Sequence, residues 1–236
     1  MASIRGNFDQ QLTHLGHELL RMGSLVDEAI EKAMLSLVNS DSALAKQVIR
    51  NDKIINHLRY SIEEQSYILL ATQQPLAGDL RRVAAAISIA TNMERMADHA
   101  AGVAALSLRL NKEPQLKAYI DLPRMAEIAR DMLRRALDGY ITADAELAHQ
   151  VAEDDEQINQ LDEQILRELL TFMIEEPRNI RRATYLLWIS HNLERIGDRC
   201  KNICERVVYV ATGELADFDH VSSSEKALDE HDTPQD

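Results

Sequence analysis

Aromatic residues make up only 4% of the 236-residue chain, and 8 glycines and 5 prolines are all that punctuate it. A sandwich or barrel, which draws on aromatic and β-branched strands, has little material here; Ala, Leu, Glu, Arg and Gln abound instead, the composition of helices. No apolar run approaches the roughly 20 residues of a membrane span. The opening stretch MASIRGNFDQQLTHLG also lacks the apolar segment of a signal peptide. A cytoplasmic chain with no direct membrane insertion is therefore expected. Positive charge is scarce too: 26 Lys and Arg face 39 Asp and Glu, and the formal net charge of -13 repels phosphate backbones. Nucleic acid is not an expected partner; cations and basic surfaces are favoured. Cysteine occurs twice, as Cys200 and Cys204, one helical turn apart and without a CxxC pair. Partly buried reduced thiols are expected there, with thiolate metal binding the lesser option and a disulfide possible but not required. Walker loops, HExxH and nucleophile elbows are absent, and no Ser, Cys or His spacing points to a nucleophile with its base. A di-iron carboxylate site needs two inward Glu-x-x-His pairs, and Glu146 with His149 is a single candidate.

What is present is an internal duplication. Leu80-Arg81-Arg82-Val83 recurs as Ile180-Arg181-Arg182-Ala183, and Asn92-Met93-Glu94-Arg95-Met96-Ala97-Asp98 recurs as Asn192-Leu193-Glu194-Arg195-Ile196-Gly197-Asp198, both at an offset of 100. Upstream the offset is 103, pairing Asp52, Ile55 and Asn56 with Asp155, Ile158 and Asn159; the change is absorbed around Pro75 and Pro177. Each copy reads as three long helices. Phe8, Leu12, Leu15, Leu19, Met22, Val26, Ala29, Ala33 and Leu37 step by four and three, a helical stripe over about 5–39. Asn39 to Ser42 supplies turn and cap residues, after which Leu44, Val48, Ile55, Leu58, Ile62 and Leu69 form a second stripe ending before Pro75. Pro75 suits the first turn of a third helix carrying Leu80, Val83 and Ile87. The second copy repeats the plan over about 121–142, 144–175 and 177–212, with Gly213 to stop the last helix. The expected fold is all-α: two tandem three-helix bundles, residues 5–113 and 121–213, divided near Pro114 to Pro123, then an acidic disordered tail over 214–236.

The informative residues are polar ones where a stripe calls for apolar ones. Asp52 and Asp155 each lie between two apolar stripe positions and face inward or nearly so. On the third helix of each copy, Glu94 with Asp98 and Glu194 with Asp198 stand one turn apart on one line. Like charges at that spacing repel, and burying them unpaired costs several kcal/mol. Two compensations are open. Arg95 and Arg195, three residues before Asp98 and Asp198, form ordinary surface ion pairs, or carboxylate and amide oxygens hold a hard or borderline cation. His14 with His17 reads as a solvated face, and His57 and His99 as surface or supporting residues. Arg81, Arg82, Arg181 and Arg182 sit in first turns, where the helix dipole disfavours cations, so they call for acidic partners within the fold or on another protein.

The paired N-x-E-R-x-x-D segments, the Gln74-Pro75-Leu76-Ala77-Gly78-Asp79-Leu80-Arg81 turn, the stretch at 52–56 and Gly197-Asp198-Arg199-Cys200-Lys201-Asn202-Ile203-Cys204-Glu205 together resemble the PhoU family, accessory proteins of phosphate transport, over about residues 5–213. The resemblance implies a cytoplasmic regulator between the phosphate ABC transporter, through its ATPase subunit, and a phosphate-sensing histidine kinase. It also implies metal ions on paired acidic motifs, and a homodimer is the expected assembly. Those motifs fall on Glu94 and Asp98, Glu194 and Asp198, Asp52 with Asn56, and Asp155 with Asn159. Asn56 and Asn159 replace a final acid. An amide keeps an oxygen ligand and lowers the site's charge, so weak or single-ion binding of Mg, Mn or Fe, divalent or ferric, is expected. Arg81 and Arg181 are the candidate partner contacts. A non-enzymatic negative regulator is the expected function, and a metal-dependent enzyme using the same carboxylates is the alternative.

Overall fold

The computed structural model describes residues 2–218. Among them the regular structure is helical throughout: α1 (Ala2–Val38), α2 (Ser42–Gln73), α3 (Gly78–Leu110), α4 (Asp121–Thr142), α5 (Ala145–Glu153), α6 (Asp155–Glu175) and α7 (Ile180–Thr212), with a 3-10 turn at Pro177–Asn179. The duplication reappears in the caps. Asp41 accepts the N–H groups of Ala43 and Leu44 at 2.9 and 3.0 Å to open α2. Its counterpart Asp144 accepts that of Leu147 at 3.0 Å to open α5. Gly213, at φ 86°, takes the left-handed position that stops α7.

Four expected boundaries differ, the simplest being the last helix, expected from 177, which opens at Ile180 after the 3-10 turn. The third helix opens at Gly78 and not at Pro75, because Gln74 and Ala77 both adopt φ 48° and turn the chain on either side of the proline. The expected continuous helix over 144–175 is interrupted at Asp154. There Arg135 of α4 donates to Asp154 Oδ2 at 2.6 Å, and the backbone tightens to three-residue bonds from Asp154 N–H to Val151 O (3.2 Å) and from Gln157 N–H to Asp154 O (3.1 Å). Asp155 is thereby moved into the first turn of a new helix. The tail expected from 214 stays packed at its start: Phe218 meets the His149 ring edge-on at 5.1 Å and donates its N–H to Glu205 Oε1 at 3.3 Å. The remainder of the expected tail, 219–236, lies outside the described residues.

The stripes become the core. Leu15, Leu19, Met22 and Val26 of α1 are fully buried, as are Ile62 of α2 and Val83, Met93 and Met96 of α3. α3 and α7 lie side by side at the centre, flanked by α2 and by α5–α6, while α1 and α4 cover one face of this layer. One continuous apolar core runs through both halves. The expected division falls in the segment 111–120, which is tied to both: Asn111 Nδ2 donates to Ser36 O at 3.2 Å and Arg182 Nη1 to Pro114 O at 3.0 Å.

The two halves meet antiparallel. Arg130 grips Asp27 with Nε and Nη2 at 2.9 and 3.1 Å across α4 and α1. On α3 and α7, His99 Nδ1 lies 3.0 Å from Asn192 Oδ1, and Arg109 lies 5.5 Å above the Tyr185 ring. The ends are reciprocal. The Arg81 guanidinium packs at Gly213, where an added Cβ would stand 3.3 Å from Nη1, and Arg181 pairs with Glu113. Position 81 meets 213 and position 181 meets 113, the contact pattern of a twofold axis. Cations poorly placed at the start of their own helix thus stand by the end of the opposite one, where the dipole is negative.

Close approach of α1 to α4 depends on Gly23, where a Cβ would stand 2.2 Å from Leu137 Cδ1. Leu137 is 4% exposed and has little room to turn away. Gly23→Val is expected to lower stability by about 1–3 kcal/mol. Combined with Leu137→Ala it should cost less than the sum of the single changes, as read from urea unfolding of the single and double variants.

Candidate functional site

Two clusters of carboxylate and amide side chains form where a flanking helix meets a central one. In the first half, α2 contributes Asp52, half-buried, whose Oδ2 accepts Asn56 Nδ2 at 3.0 Å. α3 contributes Glu94, whose side chain is 17% exposed, and Asp98, 44% exposed. The stripe of α3 is carried by Met93, Met96, Ala97 and Ala100. Glu94 therefore flanks the stripe and Asp98 stands at its rim, further out than its spacing predicts. Arg95 lies 3.5 Å from Glu94 and 3.6 Å from Asp98. Burial raises the Asp52 pKa above the ordinary carboxylate value, the Asp98 charge adds to the rise, and the Asn56 hydrogen bond opposes it.

In the second half Asp155, at the start of α6, is 2% exposed. Its Oδ2 accepts Lys201 Nζ at 3.1 Å and Asn159 Nδ2 at 3.2 Å. Lys201 also lies 3.9 Å from Asp198 Oδ1. Arg195 spans the carboxylates of its own helix, 3.0 Å from Glu194 Oε2 and 2.9 Å from Asp198 Oδ2, and His191 approaches Glu194 at 3.4 Å. Burial raises the Asp155 pKa, opposed chiefly by Lys201. Burial also raises that of Glu194, helped by Asp198.

The structure thus brings Asp52, Asn56, Glu94 and Asp98 to one junction, and Asp155, Asn159, Glu194 and Asp198 to the other. Sequence reasoning missed Gly197, Lys201, His191 and Asp162. Lys201 follows Asp198 by three residues, a signal present in the sequence. Asp162, which accepts Ser190 Oγ at 2.5 Å and raises the Glu194 pKa, lies two turns beyond Asp155. Cys200 and Cys204 are free thiols buried more deeply than expected; burial pushes Cys204 up to about 12 and Cys200 well above its ordinary value.

The donor chemistry fits an oxygen-preferring cation unevenly. Buried oxygens without a hydrogen-bond donor occur in both clusters, Asp52 Oδ1 and Asn56 Oδ1 in the first and Asp155 Oδ1 and Glu194 Oε2 in the second. Among the described residues no three Asp, Glu, His or Cys side chains converge as a ready-made ligand set. The second cluster already holds Lys201 against two of its carboxylates.

Two family-model matches coincide with the halves that carry these clusters: the PhoU domain, over residues 19–106 and again over 122–207. The chain belongs to the PhoU family. A relative from Rhizobium meliloti (strain 1021), a phosphate-specific transport system accessory protein PhoU homolog, is 37% identical over 90% of this chain and 90% of its own. A homolog of the same description from Aquifex aeolicus is 35% identical over 90% of this chain and 96% of its own. Crystal structures of PhoU from Pseudomonas aeruginosa and of the phosphate transport system regulatory protein PhoU from Streptococcus pneumoniae both superpose with a TM-score of 0.84, at 35% and 38% identity. They cover 88% and 89% of this chain and 100% and 99% of their own. The PhoU family thus accounts for both bundles.

The raised pKa of Asp52 makes a pH prediction. A carboxylate that ionises less readily in the fold favours folding when protonated. Its contribution is present below the unfolded value of about 3.9 and is lost as pH rises through the higher folded value. Asp52→Asn removes that loss. In EDTA the variant should match wild type near pH 4 and become the more stable of the two towards pH 7, as measured by urea unfolding across about pH 4–7.

Proposed function

We propose that the chain is a non-enzymatic accessory regulator of phosphate-specific transport. It restrains the phosphate ABC transporter and the phosphate-starvation response by contact with the transporter's ATPase subunit and with a phosphate-sensing histidine kinase. The observation that carries this reading is the match to PhoU accessory proteins over nine-tenths of both chains, through both domain copies. A cytoplasmic site of action and a homodimeric assembly belong to the same reading. Among the described residues no helix is long and apolar enough to cross a membrane, which suits a protein that reaches the transporter from its aqueous side.

Metal binding enters through the first cluster. Asp52, Asn56, Glu94 and Asp98 would hold a Mg, Mn or Fe ion loosely, supported by the donorless oxygens of Asp52 and Asn56. The ion would relieve repulsion between the carboxylates and draw α2 and α3 together.

Partner contact is expected to divide the two arginines. Arg181 is 67% exposed and its pair with Glu113 contributes about 0–1 kcal/mol, so it is accessible to a partner. Arg81, half-buried with Nε lacking a hydrogen-bond acceptor, is packed at the end of α7. Arg181→Glu should weaken binding to the ATPase subunit or the kinase, mainly through a slower association rate, with the melting temperature unchanged. Arg81→Glu should lower the melting temperature. Binding measured by interferometry at low and high salt is the test, and failure of the wild type to bind either partner would overturn the function proposed.

A further inference from the structure

We infer that the Lys201 ammonium is the built-in cation of the second acidic cluster, so that metal binding is confined to the first half of the chain. The confinement rests on the metal reading above; the role of Lys201 rests on other residues. At the offset of 100, Lys201 corresponds to Ala101 and Gly197 to Ala97. A Cβ at Gly197 would stand 2.6 Å from Asp155 Oδ1 and 2.9 Å from Ile158 Cδ1. The missing carbon is what lets the carboxylate of α6 settle onto α7. Lys201, one turn further along α7, then reaches Asp155 Oδ2 at 3.1 Å and Asp198 Oδ1 at 3.9 Å with a side chain only 15% exposed.

A metal ion joining Asp155 to Asp198 needs their oxygens at about 2.0–2.6 Å, in the space that Nζ fills. Asp155 Oδ1 and Glu194 Oε2 lack a hydrogen-bond donor, as Asp52 Oδ1 and Asn56 Oδ1 do in the first half. Asp155 Oδ1 is turned to Gly197, however, and Glu194 Oε2 lies against Arg195, so packing and positive charge from within the fold already occupy their surroundings. Asn159 donates to Asp155 Oδ2, Ser190 to Asp162, and Arg195 spans Glu194 and Asp198. The first half lacks both parts of this device. The Ala97 methyl stands in the place of Gly197, Asp52 stays half-buried, and Ala101 brings no charge. Arg59, at the register of Asp162, turns to Glu63 at 2.8 Å.

The test measures Mn2+ taken up by the purified full chain, by equilibrium dialysis with elemental analysis. Glu94→Gln with Asp98→Asn should weaken Mn2+ binding at least about tenfold, whereas Glu194→Gln with Asp198→Asn should leave it within about twofold. Lys201→Ser should gain a further equivalent that is lost again on adding Asp155→Asn. Loss of wild-type Mn2+ on changing Glu194 and Asp198, or no gain in Lys201→Ser, would overturn the inference. A wild type that takes no Mn2+, beside a Lys201→Ser variant that does, would remove the metal reading of the first cluster and uphold the role of Lys201. If Lys201→Ser does not fold, Lys201→Met keeps the volume. Its melting temperature should drop and should recover when Asp155→Asn is added; no recovery would overturn the pairing.

Discussion

Everything in this fold hangs on the antiparallel seam of α3 and α7. A three-helix unit of about 100 residues buries its stripes incompletely, and the apolar side it leaves open is covered here by the other copy of itself. Once the two central helices lie against each other, the flanking helices have one place to go, and α1 and α4 close over one face. The same seam places the start of each central helix beside the end of the other. Arg81 and Arg181, unfavourable where the sequence puts them, then stand by Gly213 and Glu113.

The seam also decides where the electrostatic problem lies. Each flanking helix carries a carboxylate in its stripe, and each central helix presents two more one turn apart, so charge accumulates at both outer junctions. Two copies of one arrangement need not answer it alike. Both keep buried oxygens without donors, but in the first the carboxylates spread towards solvent, whereas in the second a glycine admits the carboxylate and a lysine meets it. Burial is affordable for Asp155 because its partner is supplied by the neighbouring helix, where a lone buried carboxylate would be driven to its neutral form.

Much of this was legible in the sequence because it depends on local spacing. The stripes, the cap residues Asp41 and Asp144, the stop at Gly213 and the duplication all follow from residues near one another in the chain. The break at Asp154 does not, since it needs Arg135 from another helix. Nor does the outward position of Asp98: a period of three and four tells which line a residue joins, while the angle between packed helices decides how deep that line lies. The intramolecular partners of Arg81 and Arg181 were likewise invisible, because they sit on the opposite copy. Lys201 is visible in the sequence as a residue three beyond Asp198, but nothing local ties it to a carboxylate on another helix. Its importance comes from Asp155, whose approach depends on the absence of a single methyl group at Gly197.

The reciprocal contacts of 81 with 213 and 181 with 113 have the form of a symmetric dimer interface folded into one polypeptide. In a true dimer every substitution appears twice, once on each side of the axis, and a change that suits one junction is imposed on the other. Joining the copies through a ten-residue connector replaces association by an intramolecular encounter at an effective concentration in the millimolar range. Fusion therefore does more than secure the pairing. It releases each half from its twin, so that a lysine could enter one junction without entering both.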